Sequence, residues 1–172
     1  MKPVIGKAVL AGLCVFGVSA PVLAAPQTFN TALPVAEGEF IFRQQFFAKK
    51  ADKDPGPTNR DVTVLGSVSV LGYGINRDLS IFGVLPVLDK TLKVSPVPAT
   101  RVKRSTRGIG DARLFARYTV LSNNGPGRSF RIAPFAGIEL PTGKNRASDG
   151  LGTLPATLQL GSGSWDPFAG VV

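Results

Sequence analysis

The sequence contains no histidine and a single cysteine, Cys14, so the side chains that most often carry catalysis and metal binding are nearly absent. Without histidine the usual general base for a serine nucleophile is missing, and no G-x-S-x-G motif is present. Metal sites built from His and Cys are excluded for the same reason. We therefore predict a protein that is not an enzyme and that uses no cofactor or metal.

The glycine-rich stretches also fail to match nucleotide-binding motifs. Pro141-Thr142-Gly143-Lys144 suggests a phosphate-binding loop, but Gly137 is one residue too far upstream and Asn145 replaces the required Ser or Thr. After Gly108-Ile109-Gly110, a dinucleotide fingerprint requires a further glycine where the sequence has Arg113. Nucleotide binding is therefore not predicted.

A long apolar run occurs only near the N-terminus, at residues 8–18, where it follows two lysines. Small residues follow it, so we predict a signal peptide over residues 1–24 with cleavage after Ala24. Cys14 lies inside this peptide, and the remaining domain, residues 25–172, has no cysteine and forms no disulfide. No later segment is apolar for long enough to span a membrane as a helix, so any crossing must use strands.

Basic residues outnumber acidic ones, with 20 Lys and Arg against 11 Asp and Glu and a net charge of +9. This balance is compatible with nucleic acid, but the dispersed charges of an exported chain fit phosphate-rich headgroups or anionic solutes better. The basic stretch 88–107 is predicted to be a solvated external loop or a site for lipopolysaccharide phosphates. The expected partners are outer-membrane lipid, lipopolysaccharide and a small-molecule solute, without nucleic acid; the oligomeric state stays open.

The clearest periodicity runs from Gly108 to Leu121 and has a period of two. Mostly charged or polar odd positions alternate with apolar even positions: Asp111, Arg113, Phe115, Arg117 and Thr119 against Ala112, Leu114, Ala116, Tyr118 and Val120. Successive side chains of a strand point to opposite faces, which predicts a strand between water and an apolar medium. Tilted by about 40°, residues 111–121 span roughly 28 Å, close to the apolar band of an outer-membrane barrel.

Similar alternation predicts further strands at 39–48, 62–74 and 130–140, and the start of one or two more between Leu158 and Val172. A strand is also predicted at 79–87, where Ile81, Phe82, Val84 and Leu85 place apolar side chains on both faces. Pro134 cannot donate a hydrogen bond to a strand ladder, so it predicts a bulge or a skipped bond inside its strand.

Long loops at 48–61, 88–107 and 141–155 alternate with short turns at 75–78 and 122–127. Short periplasmic turns and long external loops are typical of up-and-down outer-membrane barrels. The predicted fold is all-β: an antiparallel up-and-down transmembrane β-barrel of about six strands. Because single-chain barrels have at least eight strands, we expect an N-terminal portion of a larger barrel.

Polar side chains on these strands are candidates for lining a water-filled lumen and setting its charge preference. The candidates are Arg43, Gln45, Ser67, Ser69, Arg113, Arg117, Arg131 and Glu139. Alternatively, the arginines fill a narrow barrel by pairing with Glu39, Asp111 and Glu139. Depending on register, Glu139 faces Asp111 or Arg113, and an ion pair with Arg113 is favoured over a catalytic pair of carboxylates.

Three segments occur in a fixed order: GIGDARLFARY (108–118), PFAGIELPTGK (134–144) and LQLGSGSWDP (158–167). Together they resemble the family of outer-membrane transport proteins named after the MetA pathway of phenol degradation. The segment YGINRDLSIFGVLP (73–86) is similar to the family's second turn, and the resemblance covers most of residues 37–172. It implies an outer-membrane barrel that passes small, often aromatic or hydrophobic, compounds, and it supplies no catalytic residues.

The favoured hypothesis is therefore a porin-like channel or transporter of the bacterial outer membrane for small aromatic or hydrophobic compounds. A second hypothesis is a structural or interaction barrel without transport, whose lumen is plugged and whose loops contact lipopolysaccharide or partner proteins. A third is a soluble periplasmic β-sandwich that binds a ligand and is extracted without detergent.

Overall fold

The computed structural model describes residues 31–52, 59–97 and 100–172 of the chain. The predicted signal peptide, residues 1–24, lies outside the described residues, and so do residues 53–58 within the first predicted loop. In the described part, no helix is long and apolar enough to cross a membrane.

Most of the described chain forms β-strands, as the period-two patterns predicted. The strands are β1 (Phe40–Ala51), β2 (Asp61–Gly74), β3 (Leu79–Val97), β4 (Thr100–Ile109), β5 (Ala112–Tyr118), β6 (Leu121–Gly125), β7 (Arg128–Ile132), β8 (Pro134–Leu140), β9 (Ser148–Asp149), β10 (Gly152–Thr153) and β11 (Asp166–Val171). A single 3₁₀ turn, Ala156–Leu158, precedes β11.

All strand pairs are antiparallel, which confirms the predicted all-β antiparallel class. The main sheet has the order β1-β2-β3-β5-β8-β11, and β4 pairs with β3 beyond the end of β5. β1 and β11 form its two edges and do not pair with each other, so the described residues make an open sheet and not a closed barrel. Two small hairpins, β6–β7 and β9–β10, stand apart from this sheet.

The segment 88–107 is not the loop that its charges predicted. It forms most of a long hairpin, because β3 continues through it and β4 returns beside it, with Leu92 opposite Arg104. Leu88, Leu92 and Val94 share one face of β3, and Leu92 is 4% exposed. Basic residues at the remaining positions obscured this alternation and were interpreted as a loop signal.

The two short turns agree with the prediction in part. The turn at 75–78 is present, and Oδ1 of Asn76 accepts a hydrogen bond from the backbone N–H of Asp78 at 3.0 Å. The predicted turn at 122–127 is narrower, since strands β6 and β7 leave only residues 126–127 in it. Gly127 has a φ of 73°, a left-handed conformation that glycine adopts without strain.

The irregularity predicted at Pro134 is present one residue earlier. β7 ends at Ile132, β8 begins at Pro134, and Ala133 between them is fully buried. The N–H of Ala133 donates to the carbonyl of Val172 at 2.9 Å, and its own carbonyl accepts from Val172 at 3.1 Å. Because proline cannot donate, the ladder changes partner at this point.

The predicted loop 141–155 contains the β9–β10 hairpin and then turns back onto the sheet. Leu154 and Leu158, which are 4% and 0% exposed, pack against Leu92 of β3. We call residues 143–162 the folded-back segment. After it the described chain has one strand, β11.

The two faces of the main sheet carry different side chains. On one face, Phe42 of β1 lies opposite Leu71 of β2, which lies opposite Gly83 of β3, and Gly83 lies opposite Leu114 of β5. Phe42, Leu71 and Leu114 are 63%, 51% and 53% exposed. We call this the apolar face. A row on the opposite face, which we call the arginine face, consists of Arg43, Val70, Val84, Arg113, Glu139 and Asp166.

Phenylalanine rings fill part of the arginine face. The rings of Phe82 and Phe115 are stacked with centroids 5.0 Å apart, and Phe168 meets Phe115 edge-on at 6.1 Å. Gly137 lies directly opposite Phe115, and a Cβ at this glycine would overlap the phenylalanine Cβ. The missing side chain therefore makes room for the aromatic cluster.

Candidate functional site on the arginine face

The predicted ion pair between β5 and β8 is confirmed. Arg113 and Glu139 are direct cross-strand partners, and Nε of Arg113 donates to Oε2 of Glu139 at 2.6 Å. Asp111 is not opposite Glu139, because the register pairs Glu139 with Arg113. The register follows the ion-pairing alternative because opposite charges directly across a ladder stabilise it.

Five of the eight predicted lumen residues lie on the arginine face. They are Arg43, Gln45, Arg113, Arg117 and Glu139, and the pairing of β1, β2, β3, β5 and β8 brings them onto one side of the sheet. Arg131 is in the separate β6–β7 hairpin, where its Nη2 donates to Oδ1 of Asn124 at 2.6 Å. It therefore takes no part in this side of the sheet.

The placement of Ser67 and Ser69 is a correction, because both lie on the apolar face. Ser67 is opposite Phe46, and Ser69 is opposite Gln44, whose Oε1 accepts its hydroxyl hydrogen bond at 2.6 Å. From the alternation in the sequence, we predicted that the serines of β2 lie on its polar side and the valines on its apolar side. Pairing with β1 reverses that assignment, since a strand's faces are set by its neighbours' register.

Asp111 joins the sheet to both ends of the folded-back segment. Its side chain is buried, and its Oδ1 accepts the backbone N–H of Gly143 at 2.9 Å. Its Oδ2 accepts the backbone N–H of Ser162 at 2.6 Å. A buried carboxylate needs such donors because an unsatisfied charge in this position is costly.

Thr142 and Gly161 complete this junction. The Thr142 hydroxyl accepts the N–H of Ala112 at 2.8 Å and donates to the carbonyl of Gly110 at 2.9 Å. Gly161 is packed so closely that a Cβ would overlap Oδ1 of Asp111 and come within 2.7 Å of the Gly143 carbonyl oxygen. The junction thus joins parts of all three sequence segments on which the family resemblance rests.

Sequence reasoning did not find this junction, although its residues were noticed as motifs. Asp111 was assigned to the polar side of a strand, and Thr142-Gly143 was examined only as a phosphate loop. The available signal was the cluster of small residues around each contact, Gly108 to Ala112 and Gly161 to Ser164. Small residues at both places indicate close approach of backbones.

The folded-back segment also binds the sheet through Gln159 and Lys90. Nζ of Lys90 donates to the Gln159 carbonyl at 2.6 Å. The Gln159 side chain accepts the N–H of Ala147 at 2.8 Å and donates to the carbonyl of Leu154 at 2.8 Å. These bonds fix the interior of the segment, while Asp111 fixes its ends.

A cavity of about 360 Å³ lies between the folded-back segment and the sheet. One part of its wall is aliphatic, formed by Val68, Val84, Leu88 and Leu160 together with Pro86. The remaining wall is polar and contains Lys90, Asp111, Arg113, Glu139, Gln159 and Ser162. A space of this size and mixed character can hold a small organic molecule that has one apolar and one polar side.

A second attachment of the folded-back segment joins β4 to the β9–β10 hairpin. The Arg104 guanidinium binds both carboxylate oxygens of Asp149, at 2.8 and 2.7 Å, and also donates to the carbonyl of Gly152 at 2.8 Å. The hydrogen bond from Arg104 is the main cause that lowers the pKa of Asp149 below its usual value. This bidentate geometry fixes the position of the hairpin.

Among the described residues, no three His, Cys, Asp or Glu side chains lie close enough together to hold a metal ion. The candidate site consists of the arginine face, the mixed cavity and the Asp111 junction that positions the folded-back segment.

Comparison with protein-family models, with characterised proteins and with solved structures finds no match to the chain.

Proposed function

We propose that the protein is an outer-membrane β-barrel channel or transporter for small solutes, with the arginine face lining the solute path. The observation that carries this proposal is the sidedness of the sheet. Large apolar side chains such as Phe46, 77% exposed, cover one face, while Arg117, 4% exposed, lies on the other. In a soluble protein apolar side chains of this size are normally buried.

A lipid environment accounts for both faces together. Hydrocarbon covers exposed apolar rings and aliphatic chains without cost, whereas a charged group facing lipid is destabilised by several kcal/mol. The arginine face must then contact water or protein. On β2 the apolar face extends from Leu65 to Tyr73 and, for a tilt of about 40°, spans roughly 23 Å, close to the apolar band of an outer-membrane barrel.

The open sheet adds a requirement to this proposal. In lipid, the unpaired backbone groups of an edge strand cost several kcal/mol each. β1 and β11 are edges of the described sheet, so the functional barrel needs further strands beside them. If further strands complete the barrel, the protein folded in detergent should be larger than a particle that contains only this sheet.

The mixed cavity favours small compounds with an aromatic or hydrophobic body, which is also what the family resemblance implies. Its aliphatic wall contacts such a body, and Lys90, Arg113 and Gln159 offer hydrogen bonds to a polar substituent. No group in the cavity is proposed to react with the solute.

Liposome swelling tests the transport proposal. Vesicles containing the purified full-length protein, with the strands that complete the barrel beside β1 and β11, should swell in isotonic solutions of small aromatic or hydrophobic solutes faster than protein-free vesicles. A matched variant, Arg113→Gln with Glu139→Gln, removes charge of both signs from the path and should change the relative rates for charged and neutral solutes. Absence of flux with every solute would refute transport.

The second candidate, a barrel without transport, is favoured by one observation: the folded-back segment covers part of the arginine face. Its attachment through Asp111 holds the segment over a cavity on this face. The variant Asp111→Asn weakens that attachment. If the native chain gives no flux and Asp111→Asn does, the segment is a plug and the structural role is supported. A soluble sandwich would instead be extracted without detergent.

A further inference from the structure

The basic residues of the β3–β4 hairpin are divided between the two faces of the sheet. Lys90 and Arg104 lie on the arginine face, where they bind the Gln159 carbonyl and the Asp149 carboxylate. Four other cations lie on the opposite side, which continues the apolar face toward the tip of the hairpin: Lys93, Arg101, Lys103 and Arg107. We call these four residues the outer basic patch. All four are exposed, so they can contact a partner outside the sheet.

Two lysines of this patch face each other without a counter-charge. Lys93 and Lys103 are direct cross-strand partners, and neither forms an ion pair in the described part of the chain. Asp61 lies opposite Lys93, but its carboxylate binds Arg101. Residues 53–58 contain one lysine and one aspartate and add no net charge. Because like charges directly opposite each other destabilise a strand pair, this position favours a bound anion.

The patch begins where the apolar side chains end. Along β4, the exposed Ile109 is followed on the same face by Arg107, Ser105 and Lys103. On β3, Val87 lies opposite Ile109, and the next positions on this face are polar. At about 3.3 Å per residue and a tilt of about 40°, Lys103 lies roughly 15 Å beyond Ile109 along the membrane normal. The change at one level of two neighbouring strands is expected at the boundary of the hydrocarbon.

The patch lies at the end of the sheet that carries the long connections. At this end β1 stops, β2 starts, β3 turns into β4, and the folded-back segment follows β8. The short turn at 75–78 is at the opposite end. Outer-membrane barrels have long external loops and short periplasmic turns. In the proposed membrane location, the patch therefore faces the external lipid layer, which contains lipopolysaccharide.

We propose that the outer basic patch binds phosphate groups of lipopolysaccharide, an inference that rests on the membrane location in the proposed function. Lys93 and Lys103 hold one phosphate between them by charge-assisted hydrogen bonds. The hydroxyls of Thr91 and Ser105, which are direct cross-strand partners, lie between this pair and the apolar face and can bind sugar oxygens. A phosphate roughly 15 Å beyond the last apolar residue suits a lipid whose phosphates are attached to sugars.

Lipid binding to the purified full-length protein in a neutral detergent tests the patch. Calorimetric titration compares lipopolysaccharide with its dephosphorylated form, with phosphatidylglycerol and with inorganic phosphate. Lipopolysaccharide should bind about tenfold more tightly than any of the other three. Equal affinity for the dephosphorylated form would mean that acyl chains alone are recognised. Equal affinity for phosphatidylglycerol or for inorganic phosphate would mean that any anionic lipid or free phosphate suffices, and each of these results overturns the proposal.

Matched double variants locate the binding. Lys93→Gln with Lys103→Gln should raise the Kd for lipopolysaccharide about 30-fold. The control, Arg77→Gln with Arg128→Gln, removes two exposed cations at the opposite end of the sheet and should change this Kd by less than about twofold. Equal effects of the two double variants would mean that net charge alone attracts the lipid, which overturns the patch.

A charge reversal separates binding from folding. Lys103→Glu creates an opposite-charge pair with Lys93, so it should maintain or raise the Tm while it weakens lipopolysaccharide binding. A lower Tm together with unchanged binding would contradict the proposal.

The lipid contact and the transport proposal can fail separately, because binding is measured in detergent and flux in vesicles. Solute flux without lipopolysaccharide binding would refute the patch alone, and binding without flux would refute transport alone. The lysine double variant, whose side chains lie outside the proposed solute path, should give the native swelling rate.

Discussion

Asp111 and Ser162 are joined by a hydrogen bond of 2.6 Å, from the serine backbone N–H to Oδ2 of the carboxylate, across 51 positions of sequence. The other oxygen of the same carboxylate accepts the N–H of Gly143 at 2.9 Å. One buried side chain therefore closes the folded-back segment at both ends. The segment lies over the cavity on the arginine face, so this carboxylate holds the segment in place at the proposed site.

Replacement of Asp111 by Ala should lower the free energy of unfolding by about 3 kcal/mol, because two charge-assisted hydrogen bonds are lost and two N–H groups lose their acceptor. Asp111→Asn keeps one oxygen acceptor, so its loss of unfolding free energy should be smaller than that of Asp111→Ala but still measurable. Denaturant titration in detergent measures both. The control is Asp78→Asn, at an exposed position of the turn at 75–78, which should change stability by less than about 0.5 kcal/mol. Equal losses for the two positions would contradict the assignment.

The ion pair of Arg113 and Glu139 should contribute little despite its short distance. The arginine side chain is 55% exposed and the glutamate 20%, so solvent screens the attraction. A double-mutant cycle with Arg113→Gln and Glu139→Gln should give a coupling of about 0.5 kcal/mol, decreasing with added salt. A coupling above about 2 kcal/mol would mean that the pair is shielded from water in the folded protein.

Acid should release the β9–β10 hairpin. The hydrogen bond from Arg104 lowers the pKa of Asp149 in the folded state below its ordinary value of 3.8. A lowered folded pKa contributes stability that is complete above that ordinary value and is lost as the pH falls through the folded pKa. The protection factors of backbone amides in the hairpin, which correct exchange rates for their intrinsic pH dependence, should therefore fall at the acid end. Asp149→Asn should abolish this pH dependence, and a persisting acid step would assign it to another carboxylate.

Two glycines in β3 and β8, the strands on either side of β5, should respond differently to the same substitution. At Gly137 a Cβ would meet Cα of Phe115 at 2.8 Å as well as its Cβ, while at Gly83 nothing lies within 4 Å. Gly137→Ala should cost about 2 kcal/mol through overpacking, and Gly83→Ala less than about 0.5 kcal/mol. Unfolding free energies of the two variants provide the comparison. Similar values would mean that the aromatic cluster shifts to accommodate the added methyl group at little cost in stability.

Local alternation was sufficient to predict most strands of the main sheet and one cross-strand contact. From Ala112 to Val120 the even positions are apolar and the odd positions are polar except for Phe115, and the opposite charges of Arg113 and Glu139 favour the observed register. Both follow from interactions between nearest neighbours in a ladder. The antiparallel class follows from the short turn at 75–78.

The failures have a common cause, since each depended on contacts distant in sequence. Ser67 and Ser69 were assigned to a face from β2 alone, but pairing with β1 decides which face they occupy. The basic stretch 88–107 was interpreted as a loop because the leucines that cover Leu92 lie more than 50 positions later. The small residues beside Asp111 indicate a close backbone contact, but they do not identify Gly143 and Ser162 as its partners, which lie 32 and 51 positions later.

The apolar face provides the sharpest test of the proposed membrane location. Leu114→Arg places a charge in the middle of that face and should lower the yield and stability of folding into lipid vesicles by about 2–4 kcal/mol. The matched change on the arginine face is Gln45→Arg, at an exposed position, and should cost less than about 1 kcal/mol. The shift in electrophoretic mobility on folding measures both.

The comparison of Leu114→Arg with Gln45→Arg distinguishes an outer-membrane protein from a soluble β-sandwich. In water an arginine at exposed position 114 is harmless, because its charge stays hydrated and only partial apolar contact is lost. In lipid the same charge faces hydrocarbon, while Gln45 on the opposite face remains in contact with water. A loss confined to Leu114→Arg therefore requires lipid on the apolar side, and equal tolerance of both substitutions would contradict the outer-membrane proposal.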